Sequence, residues 1–170
     1  MEDKISRSAS KIWDSFYKSG KRHLMITGAR GSGKTTLLNI LFPKKLPGIT
    51  TWAAKKEAVY LRENITNETA KVGIFDPTLQ KEENRMVLLN DGFNTLGVPA
   101  IKRAIESESP WVSIDEIGYL ESKSEIYHEA IRMLLNKKQV AAVIRKQDLP
   151  FLNELLNRED VFLIDTDKLI

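Results

Sequence analysis

The stretch Leu24–Phe42, LMITGARGSGKTTLLNILF, constrains this chain more than any other. An apolar run enters it, an amphipathic run leaves it, and a glycine-bearing turn joins the two. Gly28-Ala29-Arg30-Gly31-Ser32-Gly33-Lys34-Thr35 matches G-x-x-x-x-G-K-[ST] at every fixed position. Each part of that order has a separate chemical reason. Glycine lets backbone pass close to a phosphate without a Cβ in the way. The N–H groups of the loop, continuing through Thr36, then form a nest for an anion. A helix beginning at Lys34 adds the positive end of its dipole. Lys34 reaches the β- and γ-phosphates, and the Thr35 hydroxyl is placed to ligate Mg²⁺. Arg30 either touches phosphate or faces solvent. A strand, this loop and a helix therefore predict a nucleoside-triphosphate site built on a parallel sheet.

The rest of the chain reads as the matching architecture. HLMIT, WVSID, QVAAVIR and VFLID are short apolar runs, read as buried strands. Helices are expected over Lys34–Leu41, Pro99–Ser107 and Ser124–Asn136, and over LPFLNELL, with Asp148 as its cap. Ile126, Ala130, Ile131, Met133, Leu134 and Leu135 are expected on the inner face of the third. Strands apolar throughout and alternating with helices predict a mostly parallel sheet covered on both faces. Alternation in KKEAVYLRE and AKVGIFD, with polar ENITNETA between, predicts an antiparallel hairpin inserted in the sheet or at its edge. Residues 77–98 give no clear period, and NDGFNTLGVP reads as loop.

A bound triphosphate also needs a carboxylate at the end of a neighbouring strand. Trp111-Val112-Ser113-Ile114-Asp115-Glu116 supplies two. Asp115 falls where ligands gather in open α/β sheets, and is assigned to Mg²⁺. Glu116 follows at once and is placed to orient and deprotonate an attacking water. Arg145 and Lys146 emerge after QVAAVI, and Arg145 is the candidate cation for the γ-phosphoryl charge. Arg103 and Arg132 lie on helices and are expected in solvent. His23 and His128 are isolated, and are expected to be structural or exposed.

Composition sets the outer limits. At 170 residues the chain is expected to form one domain, residues 21–170, with an N-terminal extension over residues 1–20. In that extension Ile5, Ala9, Ile12, Trp13, Phe16 and Tyr17 share one helical face, which serves as a core cover or a docking face for a partner or a second copy. The absence of cysteine excludes a disulfide frame and thiolate metal sites. No apolar run is long enough for a membrane span, no signal segment precedes the fold, and a cytoplasmic protein is expected. Net charge is +3, carried by scattered lysines, so a nucleic-acid role is not favoured.

These residues together resemble the small nucleoside-triphosphatases found in archaea, bacteria and eukaryotes, sometimes described as nucleotide kinases. The resemblance rests on ITGARGSGKTTL, GVPAIKRAI, IDEIG with Glu121 three residues on, and QVAAVIRKQDLPFLNELLNREDVFLID. It covers most of residues 23–165. It implies a RecA-like P-loop NTPase fold, a three-layer α/β sandwich, with slow and rather unselective hydrolysis of nucleoside triphosphates. By that resemblance Lys34 and Thr35 take phosphate and metal roles, and Asp115 and Glu116 the metal and water roles. The chain departs from the family pattern at Tyr119, where lysine is common, and at Ile144-Arg145-Lys146, where a basic, histidine-containing segment is usual. The N-terminal extension is also additional, and the segment before GVPAI is short.

Two further functions fit the phosphate loop. A kinase could pass the γ-phosphoryl to a small acceptor held by the 48–76 hairpin. A GTP-dependent switch could use Asp115-Glu116-Ile117-Gly118 as D-x-x-G and Lys146-Gln147-Asp148 as part of a guanine-reading N-K-x-D, with Arg145 in the asparagine position. The Asp115-Glu116 pair favours water as acceptor over both. A regulatory ATPase whose N-terminal helix binds a protein partner is a third possibility.

Overall fold

The structure, a computed structural model, describes residues 2–54, 57–79 and 85–169, with side chains from residue 7 onward. Part of KKEAVYLRE (Lys55 and Lys56), the side chain of Ile5, and residues 80–84 of the unassigned stretch lie outside the described residues. The element order is α1 (Glu2–Ser19), β1 (His23–Thr27), α2 (Lys34–Leu41), β2 (Gly48–Ala54), β3 (Ala58–Glu63), β4 (Thr69–Phe75), β5 (Met86–Leu88), α3 (Asn90–Gly92), a π-helical stretch (Phe93–Gly97), α4 (Val98–Glu106), β6 (Trp111–Ile117), α5 (Glu125–Lys137), β7 (Gln139–Ile144), α6 (Pro150–Leu156) and β8 (Val161–Asp165). A single 3₁₀ turn, Thr166–Lys168, follows β8.

One sheet orders the strands β5-β4-β3-β2-β6-β7-β1-β8. The run from β2 to β8 is parallel, and β3, β4 and β5 extend it antiparallel at one edge. The expected hairpin is β3–β4. It hangs on β2, a strand absent from the sequence expectation because Gly48-Ile49-Thr50-Thr51 is half polar and carries a glycine where strand propensity is low. Helices cover both faces. Ile12 and Phe16 of α1 and Leu37, Leu38 and Leu41 of α2 pack with Leu24, Ile26, Ala141 and Val143 on one. The larger cluster, on the other, joins Ile101 of α4, Tyr127, Ile131 and Leu134 of α5 and Leu152 of α6 to Ile49, Leu61, Val112, Ile114 and Val140. This is the three-layer P-loop NTPase architecture.

Four local expectations are corrected. NDGFNTLGVP is helical, running from α3 through the π turns into α4. Its glycines look like turn signals, but Gly92 marks a close approach: a Cβ there would lie 2.3 Å from the Lys71 carbonyl oxygen. The wide turn, in which Val98 N–H reaches back to Phe93 O, precedes Pro99 and takes up the backbone that a proline inside a helix would disturb. In α5, Ile126 and Met133 are about half exposed and Tyr127 is fully buried, since 127, 130, 131, 134 and 135 form the stripe at helical spacing and 126 and 133 lie beside it. In α1, Tyr17 is 72% exposed although its neighbour Phe16 is buried. Asp148 does not cap α6: Leu149 holds the cap position, and the Asp148 carboxylate accepts from Asn153 Nδ2 at 2.8 Å. Among the described residues no helix is long and apolar enough to cross a membrane.

Candidate active site

Five parallel strands deliver their C-terminal ends to one edge, where a cleft of about 750 Å³ opens. β1 leads into the loop at Gly28, and α2 starts at Lys34 directly after Gly33, whose φ of 86° turns the chain into the helix. The first-turn N–H groups of α2 have no partner within the helix and face the cleft. Gly28, Ala29, Arg30, Gly31, Gly33, Lys34, Thr35 and Thr36 all line it. Ser32 does not: its hydroxyl bonds the Thr166 hydroxyl at 2.6 Å. The Lys34 ammonium donates to the loop's own carbonyls, Gly28 O at 3.0 Å and Ala29 O at 2.7 Å.

β6 brings the carboxylates opposite. The Thr35 hydroxyl donates to Asp115 Oδ1 at 3.0 Å across 80 residues of sequence. Burial raises the Asp115 pKa above the usual carboxylate range, with the Thr35 hydrogen bond and Lys34 opposing and Glu116 adding to it. Among the described residues no three acidic or histidine side chains cluster as a protein-only metal cage. A hydroxyl and a carboxylate side by side are instead the hard-oxygen set that suits Mg²⁺, which keeps waters and completes its shell with substrate phosphates.

Glu116 sits at a bulge. Its φ is +92°, and the pairing register between β6 and β7 shifts between Asp115 and Ile117. The left-handed region costs a non-glycine residue of order 1–3 kcal/mol, a cost found where structure fixes a working side chain. The bulge puts both Asp115 and Glu116 on the cleft, where strict alternation would send them to opposite faces. The Glu116 carboxylate is held by Arg145 Nε. Behind the bulge, Gly118 N–H donates to the buried Glu121 carboxylate at 2.9 Å, and Arg145 N–H to Ile117 O at 2.9 Å. Burial pushes the Glu121 pKa up.

Several contributors were not visible beforehand. The turn after β8 closes on the phosphate loop. Thr166 Oγ1 donates to Thr27 O at 3.0 Å, so the Ser32 hydroxyl donates to it. Both Asp167 carboxylate oxygens accept from Ala29 N–H at 3.0 Å, and Lys146 Nζ bridges Asp165 and Asp167 at 3.1 and 3.0 Å. The Ala29 amide and then Lys146 hold the Asp167 pKa low. The one available sequence signal was polar DTDK directly after an apolar strand. β2 adds Thr50, Thr51, Trp52 and Ala53 to the cleft wall, Thr50 pairing with Asp115 in register.

The remaining candidates lie away from the cleft. Arg103, expected in solvent, makes a two-pronged ion pair with the buried Glu63 at 2.9 and 2.6 Å. Arg132 pairs with Glu129 and Glu154. His128 stacks on Phe151, and His23 is fully buried under Val140 N–H.

The fold and this cleft define the class of P-loop NTPases. The family model described as NTPase matches residues 23–168, and the chain belongs to that family. The nucleoside-triphosphatase THEP1 of Thermotoga sp. (strain RQ2) is 29% identical over 152 residues, covering 85% of this chain and 86% of that protein. The human cancer-related nucleoside-triphosphatase is 26% identical over 169 residues, covering 86% and 89%. The crystal structure of THEP1 from Aquifex aeolicus superposes with a TM-score of 0.70 at 23% identity, over 85% of this chain and 89% of that one, and shows the same fold.

Proposed function

We propose that this chain is a Mg²⁺-dependent nucleoside-triphosphatase that removes the γ-phosphate of ATP, GTP and other nucleoside triphosphates with low base selectivity. The observation that carries this is the bulge at Glu116, which sets a second carboxylate beside Asp115 in the cleft of the phosphate loop. Gly28 through Gly31 and Gly33 through Thr36 hold the triphosphate, with Ser32 tying the loop to Thr166. Lys34, now on its own loop carbonyls, swings to the β- and γ-phosphates. Thr35 and Asp115 would hold Mg²⁺, which would supply charge neutralisation to the phosphates. Glu116 orients a water and takes its proton as the water oxygen bonds to the γ-phosphorus and the bond to the β-phosphate oxygen breaks. Arg145 Nε holds the Glu116 carboxylate in place, and its remaining guanidinium N–H groups are offered to the γ-phosphoryl.

Low base selectivity is in keeping with a cleft in which the phosphate loop contributes more of the lining than any other segment. The guanine-switch alternative loses support: Asp148 bonds Asn153, and the Gly118 N–H is taken by Glu121. We place the enzyme in the cytoplasm, in keeping with a cysteine-free sequence. α1 is a cover for α2, leaving Tyr17 outward as a contact point for a partner. Phosphate release from ATP, GTP, CTP and UTP, with and without Mg²⁺, tests the proposal. Release from all four that requires Mg²⁺ and disappears in Lys34→Ala is expected. Full activity in Lys34→Ala would overturn the phosphate-loop role.

A further inference from the structure

A second, smaller cleft of about 270 Å³ opens from the metal end of the first, sharing Thr35, Thr50 and Asp115 with it. It lies between α2 and the β2–β3 pair. Asn64 forms its floor, accepting from the Thr50 hydroxyl at 2.8 Å and donating to Ser113 Oγ at 3.1 Å and Leu46 O at 3.2 Å. Three cations line it: Lys44, Lys45 and Arg62.

None of the three has an acidic partner among the described residues. Lys45 Nζ donates to the neutral Asn67 amide at 2.8 Å. The Arg62 guanidinium lies 5.5 Å over the Trp52 ring, and its Nε is buried without a hydrogen-bond partner. The adjacent carboxylate, Glu63, is already taken by Arg103 and Thr66. Asp115 stands at the shared mouth, where the metal site claims it. A recess that gathers unpaired cations and leaves a guanidinium N–H unsatisfied is built for an anion. Arginine and lysine together suit phosphate, the first by its fork and the second as a point charge. The volume falls below the ~300–1,000 Å³ of pockets for drug-sized molecules, so it fits a phosphate with a short attached group and not a second nucleotide.

We propose that this cleft is a second phosphate subsite, in which Lys44, Lys45 and Arg62 hold a phosphoryl dianion next to the γ end of a nucleotide in the main cleft. The placement rests on the main cleft being the triphosphate site. The dianion has two sources of the same chemistry: orthophosphate released by hydrolysis, or the phosphate of a small phosphomonoester. Trp52 links the two clefts, since its ring lines the first and carries the Arg62 guanidinium of the second.

The test is calorimetric titration of orthophosphate, and separately of ribose 5-phosphate, into protein saturated with Mg²⁺ and a non-hydrolysable ATP analogue that fills the γ position. Saturable binding is expected, weakened roughly tenfold or more by Arg62→Gln and by Lys44→Glu, the scale of one lost charge-assisted contact. Tighter orthophosphate assigns a product site, and tighter ribose 5-phosphate a phosphomonoester site. No binding beside the analogue, or equal binding in both variants with folding intact by circular dichroism, would overturn the subsite. Lys44 lies in an exposed loop, so its variant keeps the test valid if Arg62→Gln is poorly folded. Phosphate release from ATP, followed on the same samples, separates the two readings. Hydrolysis without anion binding sinks only the subsite. Failure of the analogue to bind sinks the nucleotide site, and orthophosphate titrated into analogue-free protein then still reads Lys44 and Arg62.

Discussion

Glu116 should trade stability against turnover, and two substitutions separate the terms. Its φ of +92° is a backbone state that costs a non-glycine residue roughly 1–3 kcal/mol. Glycine relieves that strain but loses roughly 0.5–1 kcal/mol to the entropy of the unfolded chain. The ion pair with Arg145 joins side chains 26% and 47% exposed, so its loss costs about 0–1 kcal/mol in solvent. Together these terms put Glu116→Gly between about 1 kcal/mol less stable and about 2.5 kcal/mol more stable, with a small net gain as the central expectation. Glu116→Gln keeps the shape and the strained φ but not the charge, so stability should fall by less than about 1 kcal/mol. Both remove the proton acceptor, and turnover should drop about 10²–10⁴-fold, the range for a lost general base. Lys34, Thr35 and Asp115 are untouched, so Mg²⁺-nucleotide binding should survive. Denaturant unfolding, fluorescent-nucleotide binding and phosphate release measure the three quantities separately. A Glu116→Gly protein destabilised by more than 1 kcal/mol would refute the strain argument. Undiminished turnover in Glu116→Gln would refute the base.

Substitutions at three other positions probe the scaffold. Gly28→Ala would put a Cβ 2.0 Å from Thr166 Oγ1 and 2.7 Å from Ser32 Oγ, so unfolding free energy should fall by roughly 2–4 kcal/mol with loss of nucleotide binding; a fall under 1 kcal/mol would mean that the turn after β8 gives way freely. Burial lowers the His23 pKa from 6.5 to about 4, so the neutral ring is the folded form. Its contribution is complete above pH 6.5 and is lost as pH falls toward 4, up to roughly 3 kcal/mol, and His23→Asn, which keeps an acceptor for Val140 N–H, should flatten that slope in urea unfolding. Glu121→Gln keeps an acceptor for Gly118 N–H and should be nearly neutral at pH 7, whereas Glu121→Ala strands that buried donor at a cost of about 1–3 kcal/mol and should lower turnover by loosening the bulge; equal stability of the two variants in thermal unfolding would show that the hydrogen bond does not hold it.

How much could be read in advance follows from where each contact's information lies along the chain. β1, the phosphate loop and α2 are contiguous, and the apolar period and the glycine spacing carry their geometry, so their bounds agree with the sequence to the residue. β7 is legible for the same reason, since a strand buried on both faces cannot hide among polar residues, and β8, though a half-exposed edge strand, keeps an unbroken apolar run. β2 escapes because Gly48-Ile49-Thr50-Thr51 is half polar in itself, and its extended form comes from pairing with β3 on one side and with β6, about sixty residues on, on the other. The stretch 90–98 escapes for the opposite reason, since close packing on β4 demands Gly92, and glycine without that context signals a turn. The same division runs through the site. Lys34, Thr35 and Asp115 are recognisable because their chemistry is spelled in their own neighbours. Asp167 and Thr166 reach Ala29 and Ser32 across 138 and 134 residues, and no local pattern announces them. The loop that grips phosphate is thus locally encoded, but what pins it is not. Because Thr166 fills the space that a Cβ on Gly28 would need, the first glycine of the motif answers as much to the turn after β8 as to the phosphate, and a motif match alone assigns it the second reason only.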